Sequence, residues 1–137
     1  MIAAGVQALF PHAATTDGVT VRVSVSYLAD QSEPGRGRWF WAYHIRIEND
    51  SVQPVQLLTR HWVITDGRGA RHSVEGEGVV GEQPLIVPGA SYDYVSGCPL
   101  ATPNGAMQGS YRMVRGDGDE FDVAIPRFAL SAPAVEI

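Results

Sequence analysis

Residues 76 to 81 read Gly76-Glu77-Gly78-Val79-Val80-Gly81, the G-x-G-x-x-G spacing with which dinucleotide-binding proteins hold a pyrophosphate. That chemistry needs a strand before the glycines and a helix opening at them, so that free backbone N–H groups converge on the phosphates. Here Pro84 and Pro88 lie just beyond, and no helical period follows. Glu75, Glu77 and Glu82 crowd the same stretch. A carboxylate about 5 Å from a phosphate charge repels it by roughly 3 kcal/mol at an effective dielectric near 20. The plainer reading is a glycine-bent strand and loop. Gly76, Gly78 and Gly81 therefore stand as candidate anion-binding positions, with Arg36, Arg38 or Arg71 as counter-charge.

The four histidines, His12, His44, His61 and His72, form no H-x-H or H-x-x-x-H pair, and no cysteine joins them at ligand spacing. His44 and His61 both point away from the tryptophan-bearing faces of their strands, so their rings meet only if those strands are neighbours. Two solvated strand histidines are the plainer reading. Asp117-Gly118-Asp119-Glu120 is acidic enough for Ca²⁺ but lacks the remaining positions of an EF-hand loop, and Asp-Gly between strands is first a turn. Cys98 has no histidine close in sequence and reads as a small buried apolar residue. No G-x-S-x-G occurs. The expectation is no catalytic constellation, no resident metal and no cofactor.

Phe40 and Ala42 lie opposite the aromatic face of their strand, beside a loop carrying Arg36 and Arg38. An outward Phe flanked by Arg is a composition that binding patches favour, and these four residues are the candidate interaction surface. Cover by the other sheet or by the Gly97 to Gly105 segment is the competing reading.

The elements that must position these residues are strands. Val19 to Leu28 alternates valine with polar residues, the period of a half-buried strand. Arg38 to Asn49 places Trp39, Trp41, Tyr43, Ile45 and Ile47 on one face. Val55 to Thr65 follows, with Leu58, Trp62 and Ile64 inward, and turns through Asp66-Gly67 into Arg71 to Val80. Leu85 to Val87 is a short apolar piece, and Pro88-Gly89 leads into Ser91 to Ser96. After a Gly/Pro-rich excursion over Gly97 to Gly105, Ala106 to Arg115 pairs with Glu120 to Ile125; Pro126 ends or redirects the last strand, and Phe128 to Leu130 adds a short edge piece. Seven or eight strands at intervals of about 10 residues predict an all-β sandwich of the immunoglobulin or fibronectin III kind. The domain spans 17–131, between a tail at 1–16 and another at 132–137.

Composition agrees. A chain of 137 residues, 45% hydrophobic and 18% charged, can bury a core without a staple. The net charge of −5 argues against a nucleic-acid footprint. All ten basic residues are Arg, which removes Schiff-base and P-loop lysines. One cysteine makes no internal disulfide. The apolar run Ile2 to Phe10 has no basic residue before it and is broken by Gln7, unlike a secretory signal, and no stretch approaches a membrane span. The expected compartment is the cytoplasm.

Several segments together resemble the ApaG (CorD) family. They are Ser32-Glu33-Pro34 to Gly37, Trp41-Ala42-Tyr43 with Ile45-Arg46-Ile47-Glu48-Asn49, and Pro54-Val55-Gln56-Leu57-Leu58. Arg60-His61-Trp62, Ile64-Thr65-Asp66, Gly76 through Pro84, Pro88-Gly89, Ser96-Gly97-Cys98-Pro99-Leu100 and Tyr111-Arg112-Met113-Val114 continue the likeness in order, so that it covers about Asp17 to Leu130. The resemblance implies a fibronectin III-like sandwich without an established enzymatic activity. It also implies a genetic tie of bacterial members to Co²⁺ and Mg²⁺ efflux, and partner binding by related domains fused to F-box and polymerase-interacting proteins. In the family the glycine motif has been likened to a pyrophosphate site.

The expectation is therefore a non-enzymatic module that binds another protein, neither nucleic acid nor membrane, as a monomer or weak homo-oligomer, with an indirect role in cation efflux. The alternative is a small-anion or nucleotide sensor at Gly76 to Gly81.

Overall fold

The alternation of Val19–Tyr27 (β2) and Trp39–Asn49 (β3) sets the architecture. In the computed structural model, which describes residues 9–134, Val19, Val21, Val23, Trp41, Tyr43, Ile45 and Ile47 share one face and are buried. A strand can bury one face only by meeting a second layer. That layer is built from Val55–Asp66 (β4), Arg71–Glu77 (β5), Leu85–Ile86 (β6), Asn104–Arg115 (β8) and Glu120–Ser131 (β9), in the order β5-β4-β8-β9 with β6 also on β4. The first sheet runs His12–Thr16 (β1), β2, β3, then Ser91–Leu100 (β7). All pairings are antiparallel, so the molecule is the expected β-sandwich, with nine strands among the described residues.

Inside, Tyr43, Trp62 and Phe128 meet at centroid distances of 5.3 to 6.0 Å in edge and tilted contacts. Each large side chain withdrawn from water here contributes about 1.5–3 kcal/mol. The Tyr94 and Tyr111 hydroxyls hydrogen-bond to each other across the two sheets. Asn49 is fully buried and satisfied: its Nδ2 donates to the carbonyls of Gln53 and Ile86 at 2.8 and 2.9 Å, while its Oδ1 accepts from the Ser51 N–H and hydroxyl.

Several expectations are corrected. Of the tail placed at 1–16, residues 1–8 lie outside the described residues, but His12–Thr16 is a strand paired in register from His12↔Val23 to Thr16↔Val19. The Asp17-Gly18 turn, with φ of 47° and 84°, closes a two-residue hairpin whose twist matches its strands. Gly97 to Leu100 is not an excursion but the second half of β7, paired with Trp39 to Ala42. Pro99 is tolerated because β7 is an edge strand. Pro126 does not end the last strand; the β8–β9 register shifts between Met107 and Gly109, and β9 runs on to Ser131. Of the C-terminal tail, Ala132 still donates to the Pro103 carbonyl at 2.8 Å, and 135–137 lie outside the described residues. Among the described residues no helix is long and apolar enough to cross a membrane.

The two long sides of the sandwich differ. On one, β1 and β2 pack against β9, and the Ala124 N–H donates to Thr16 Oγ1 at 3.1 Å. On the other, β7 and β5 each pair with one neighbour among the described residues, and the sheets part between them.

Candidate functional site

Strand β4 carries a bulge between Leu57 and Thr59, and it changes which residues face inward. Leu57, not Leu58, is the fully buried leucine. Beyond the bulge Arg60, Trp62 and Ile64 share the inward parity, so an arginine is directed into the open side of the sandwich.

Arg60 stands directly opposite Gly76 on β5 and Tyr111 on β8. Its Nη1 donates to the carbonyls of Glu77 and Gly78, both at 2.9 Å. No carboxylate lies within ion-pair distance of it among the described residues. Tyr43, Trp62 and Ser96 lie beside it in two adjoining cavities. One, of about 470 Å³, is lined by Trp62, Ile64, Val74, Cys98, Leu100 and Met107 among others. The other, of about 340 Å³, reaches Val79, Val80, Gly81 and Tyr94. Together they form a cleft between two strand edges, with a guanidinium at its middle. Burial, the largest effect, pushes the hydroxyls of Tyr43, Tyr94 and Tyr111 up from their ordinary values, and the Arg60 charge acts against it at all three. The floor, Tyr43 and Tyr94 with Trp62, is therefore neutral and aromatic.

The glycine motif forms the rim of this cleft. Gly76 leaves room for Arg60, since a Cβ there would stand 2.8 to 2.9 Å from the guanidinium atoms. Gly78 has φ +63° and its missing Cβ would collide with the Glu82 carbonyl oxygen. Val79 and Glu82 exchange backbone hydrogen bonds of 2.8 and 2.9 Å around Val80 and Gly81, whose φ values are 44° and 82°. No helix follows, and the Gly78 and Val79 N–H groups are taken by Leu58 and Glu82 carbonyls. The motif is the end of a strand and a tight turn.

The other candidates fall elsewhere. Arg36 pairs with Glu33 at 3.4 Å in the turn Pro34–Arg36, and Arg38 closes that turn through backbone bonds with Glu33. Both precede β3 next to Trp39, whose partner Leu100 lies in the cavity without Gly81, and neither lines the cleft. They are not brought to the glycines. Arg71 begins the exposed strand β5. Phe40 and Ala42 are half-buried on the outer face of the first sheet, with the Phe40 ring over Gly97. His44 and His61 belong to different sheets and never meet; His44 contacts Asp93 at 2.8 Å and His61 contacts Glu75 at 3.7 Å. Asp117 accepts from the Asp119 N–H at 2.9 Å, which together with Gln53 holds its carboxyl below the usual range, so the acidic turn is bonded to itself. Cys98 is buried in β7, and burial pushes its thiol up to about 11. Sequence reasoning assigned no role to Arg60, although it has the same parity as Trp62 and Ile64, the signal that would have found it.

The chain has relatives of the same size. Residues 29–115 match the ApaG domain family. A protein of Maricaulis maris described as ApaG is 54% identical over 117 residues, covering 85% of this chain and 90% of the relative. Another, from Rhodospirillum centenum, is 52% identical over 118 residues, covering 86% and 91%. A crystal structure from Bordetella pertussis described as ApaA superposes with a TM-score of 0.82 at 44% identity, covering 85% of this chain and 95% of that one.

Proposed function

The chain belongs to the ApaG domain family, and on that premise we propose that it is a non-enzymatic binding module whose ligand, another protein, seats in the cleft between β5 and β7. The observation that carries this reading is Arg60: a guanidinium directed into an aromatic-floored cleft with no carboxylate on it among the described residues. A strand with an unpaired edge is a template for an extended partner segment, and here two such edges flank one cavity. The non-enzymatic reading draws support from Cys98. A nucleophilic thiol needs a lowered pKa, and this one is pushed up to about 11. The alternative, a pyrophosphate on Gly76, Gly78 and Gly81, is less well supported because two of the motif's N–H groups are already used. A tie to Co²⁺ or Mg²⁺ efflux runs, on this reading, through the bound protein. A lone buried thiol suits a reducing cytoplasm.

Photo-crosslinking in cells tests the seat. A benzophenone amino acid replaces Val80, which is 56% exposed on the cleft rim, or Val52, 93% exposed in the turn after β3. A discrete adduct from position 80 that disappears in Arg60→Met, with none from position 52, is the expected result. Equal capture from both, or an adduct indifferent to Arg60, overturns it.

A further inference from the structure

Resting on that reading of the cleft, we infer that the segment it takes is an extended acidic peptide: an internal Asp or Glu side chain sits on Arg60, and a large apolar side chain two residues away fills the cavity over Trp62, Ile64 and Met107.

A guanidinium has five N–H donors, and the Glu77 and Gly78 carbonyls use the two on Nη1. The two on Nη2 and the one on Nε have no hydrogen-bond acceptor among the described residues. Adjacent Nε and Nη2 donors form the fork that a single carboxylate fits bidentately. The charge count selects a carboxylate over a phosphate. One positive charge balances one carboxylate, whereas a phosphate or pyrophosphate brings more negative charge toward a rim carrying Glu77.

Position separates an internal acid from a chain terminus. Arg60 borders both cavities, so a chain that ended on it would leave one of them empty. A chain that passes over it occupies both. The form of the cleft selects an extended chain over a small molecule, because the lining of the two cavities follows β7 from Tyr94 to Leu100. Side chains two apart on a strand project to the same face about 7 Å from each other. Hence the same strand face that lays a carboxylate on Arg60 places its next residue over Trp62, Ile64, Val74 and Met107, which is apolar and large enough for Leu or Phe.

The probes are acetylated and amidated heptapeptides with Glu or Gln at position 4 and Leu, Phe or Ser at positions 2 and 6, bound to the full-length protein. Anisotropy reads affinity, and the Trp62 indole resonance reads the seat. Glu peptides with Leu or Phe should bind about tenfold or more tighter than their Gln or Ser counterparts. The Glu–Gln difference should vanish in Arg60→Met and return in part in Arg60→Lys, which restores charge without the fork. Thermal unfolding of each variant confirms that it is folded. Equal binding of Glu and Gln peptides with Trp62 shifted overturns the acidic specificity and leaves the cleft as the seat. Binding that shifts the Phe40 face and not Trp62 overturns both readings. No binding by any peptide overturns this inference alone.

Discussion

The Arg60 guanidinium lies across the Cα of Gly76, at a spot where a methyl group would stand 2.8 Å from Nη2. The glycine thus has a use that needs no ligand: it lets a charged side chain pass over the neighbouring strand and reach the Glu77 and Gly78 carbonyls at its end. Gly76→Ala should push the flexible guanidinium aside rather than move the backbone. Its cost should be about 1 kcal/mol, the value of the displaced hydrogen bonds, and should largely vanish in an Arg60→Ala background. A chemical-denaturation cycle over the four proteins checks this, and additive costs contradict it.

Gly78→Ala should behave differently. The obstacle there is the Glu82 carbonyl, which is backbone, and the residue sits at φ +63°. Left-handed strain and a collision that only the turn can relieve should cost about 2–4 kcal/mol, with no rescue from Arg60→Ala. Denaturation midpoints that rank Gly76→Ala as the costlier change rule this out.

Val80 is a β-branched residue at φ +44°, followed by Gly81 at +82°. A turn with two positive φ values favours Asn-Gly, and valine in the first place is strained. Val80→Asn should raise stability by about 1 kcal/mol, read as a higher Tm. Because the valine is exposed on the cleft rim, the same substitution should weaken peptide binding. A variant that is stabilised and binds as well as before leaves the strain without a functional use.

Much of this fold is legible in the sequence because one face of each central strand is apolar and the other polar, as in Val19 to Tyr27 and Trp39 to Asn49. The misreadings fall where pairing is decided by backbone rather than by side-chain pattern. His12–Thr16 has no apolar alternation to mark it, although a two-residue Asp-Gly hairpin implies a strand on each side. Gly97 and Pro99 suggested a loop, yet Gly97 is there to seat the Phe40 ring and Pro99 needs only an edge. The site is less legible than the fold. G-x-G-x-x-G drew attention to glycines that serve an arginine, and although Arg60 shares the parity of Trp62 and Ile64, nothing in the spacing says that the sheets part there to leave it a cleft. Likewise, nothing in sequence says that His44 and His61 lie on different sheets.

Asn49 should be among the costliest polar residues to remove. It is fully buried, and its amide joins the end of β3, the turn to β4 and the short strand β6 through four hydrogen bonds. Asn49→Leu takes the side-chain donor from the Ile86 carbonyl and leaves the Gln53 carbonyl only the Ser51 hydroxyl at 3.1 Å, and should lower stability by about 2–4 kcal/mol. Hydrogen exchange should show the loss concentrated at residues 49–57 and 85–90, and a uniform change across both sheets contradicts the assignment.

Cys98 gives the fold an alkaline limit. Its thiol titrates at about 11 in the folded chain, raised by burial from an ordinary value near 9.0. Between these two values the unfolded chain has released the proton and the folded chain still holds it. The unfolded state therefore binds fewer protons, and stability falls as pH rises through that window. The slope should approach about 1.4 kcal/mol per pH unit before the buried tyrosines, whose hydroxyls are raised in the same sense, add theirs above pH 10 or so. Below about pH 8 the term is absent, because both states are protonated. Cys98→Ala should leave stability near neutrality changed only by the small side chain lost, and should flatten the decline between about pH 9 and 10. Denaturation midpoints of wild type and variant across that range decide it. Parallel curves would mean that the thiol ionises in the folded protein as easily as in the unfolded one, and rapid alkylation of the native protein at neutral pH would say the same.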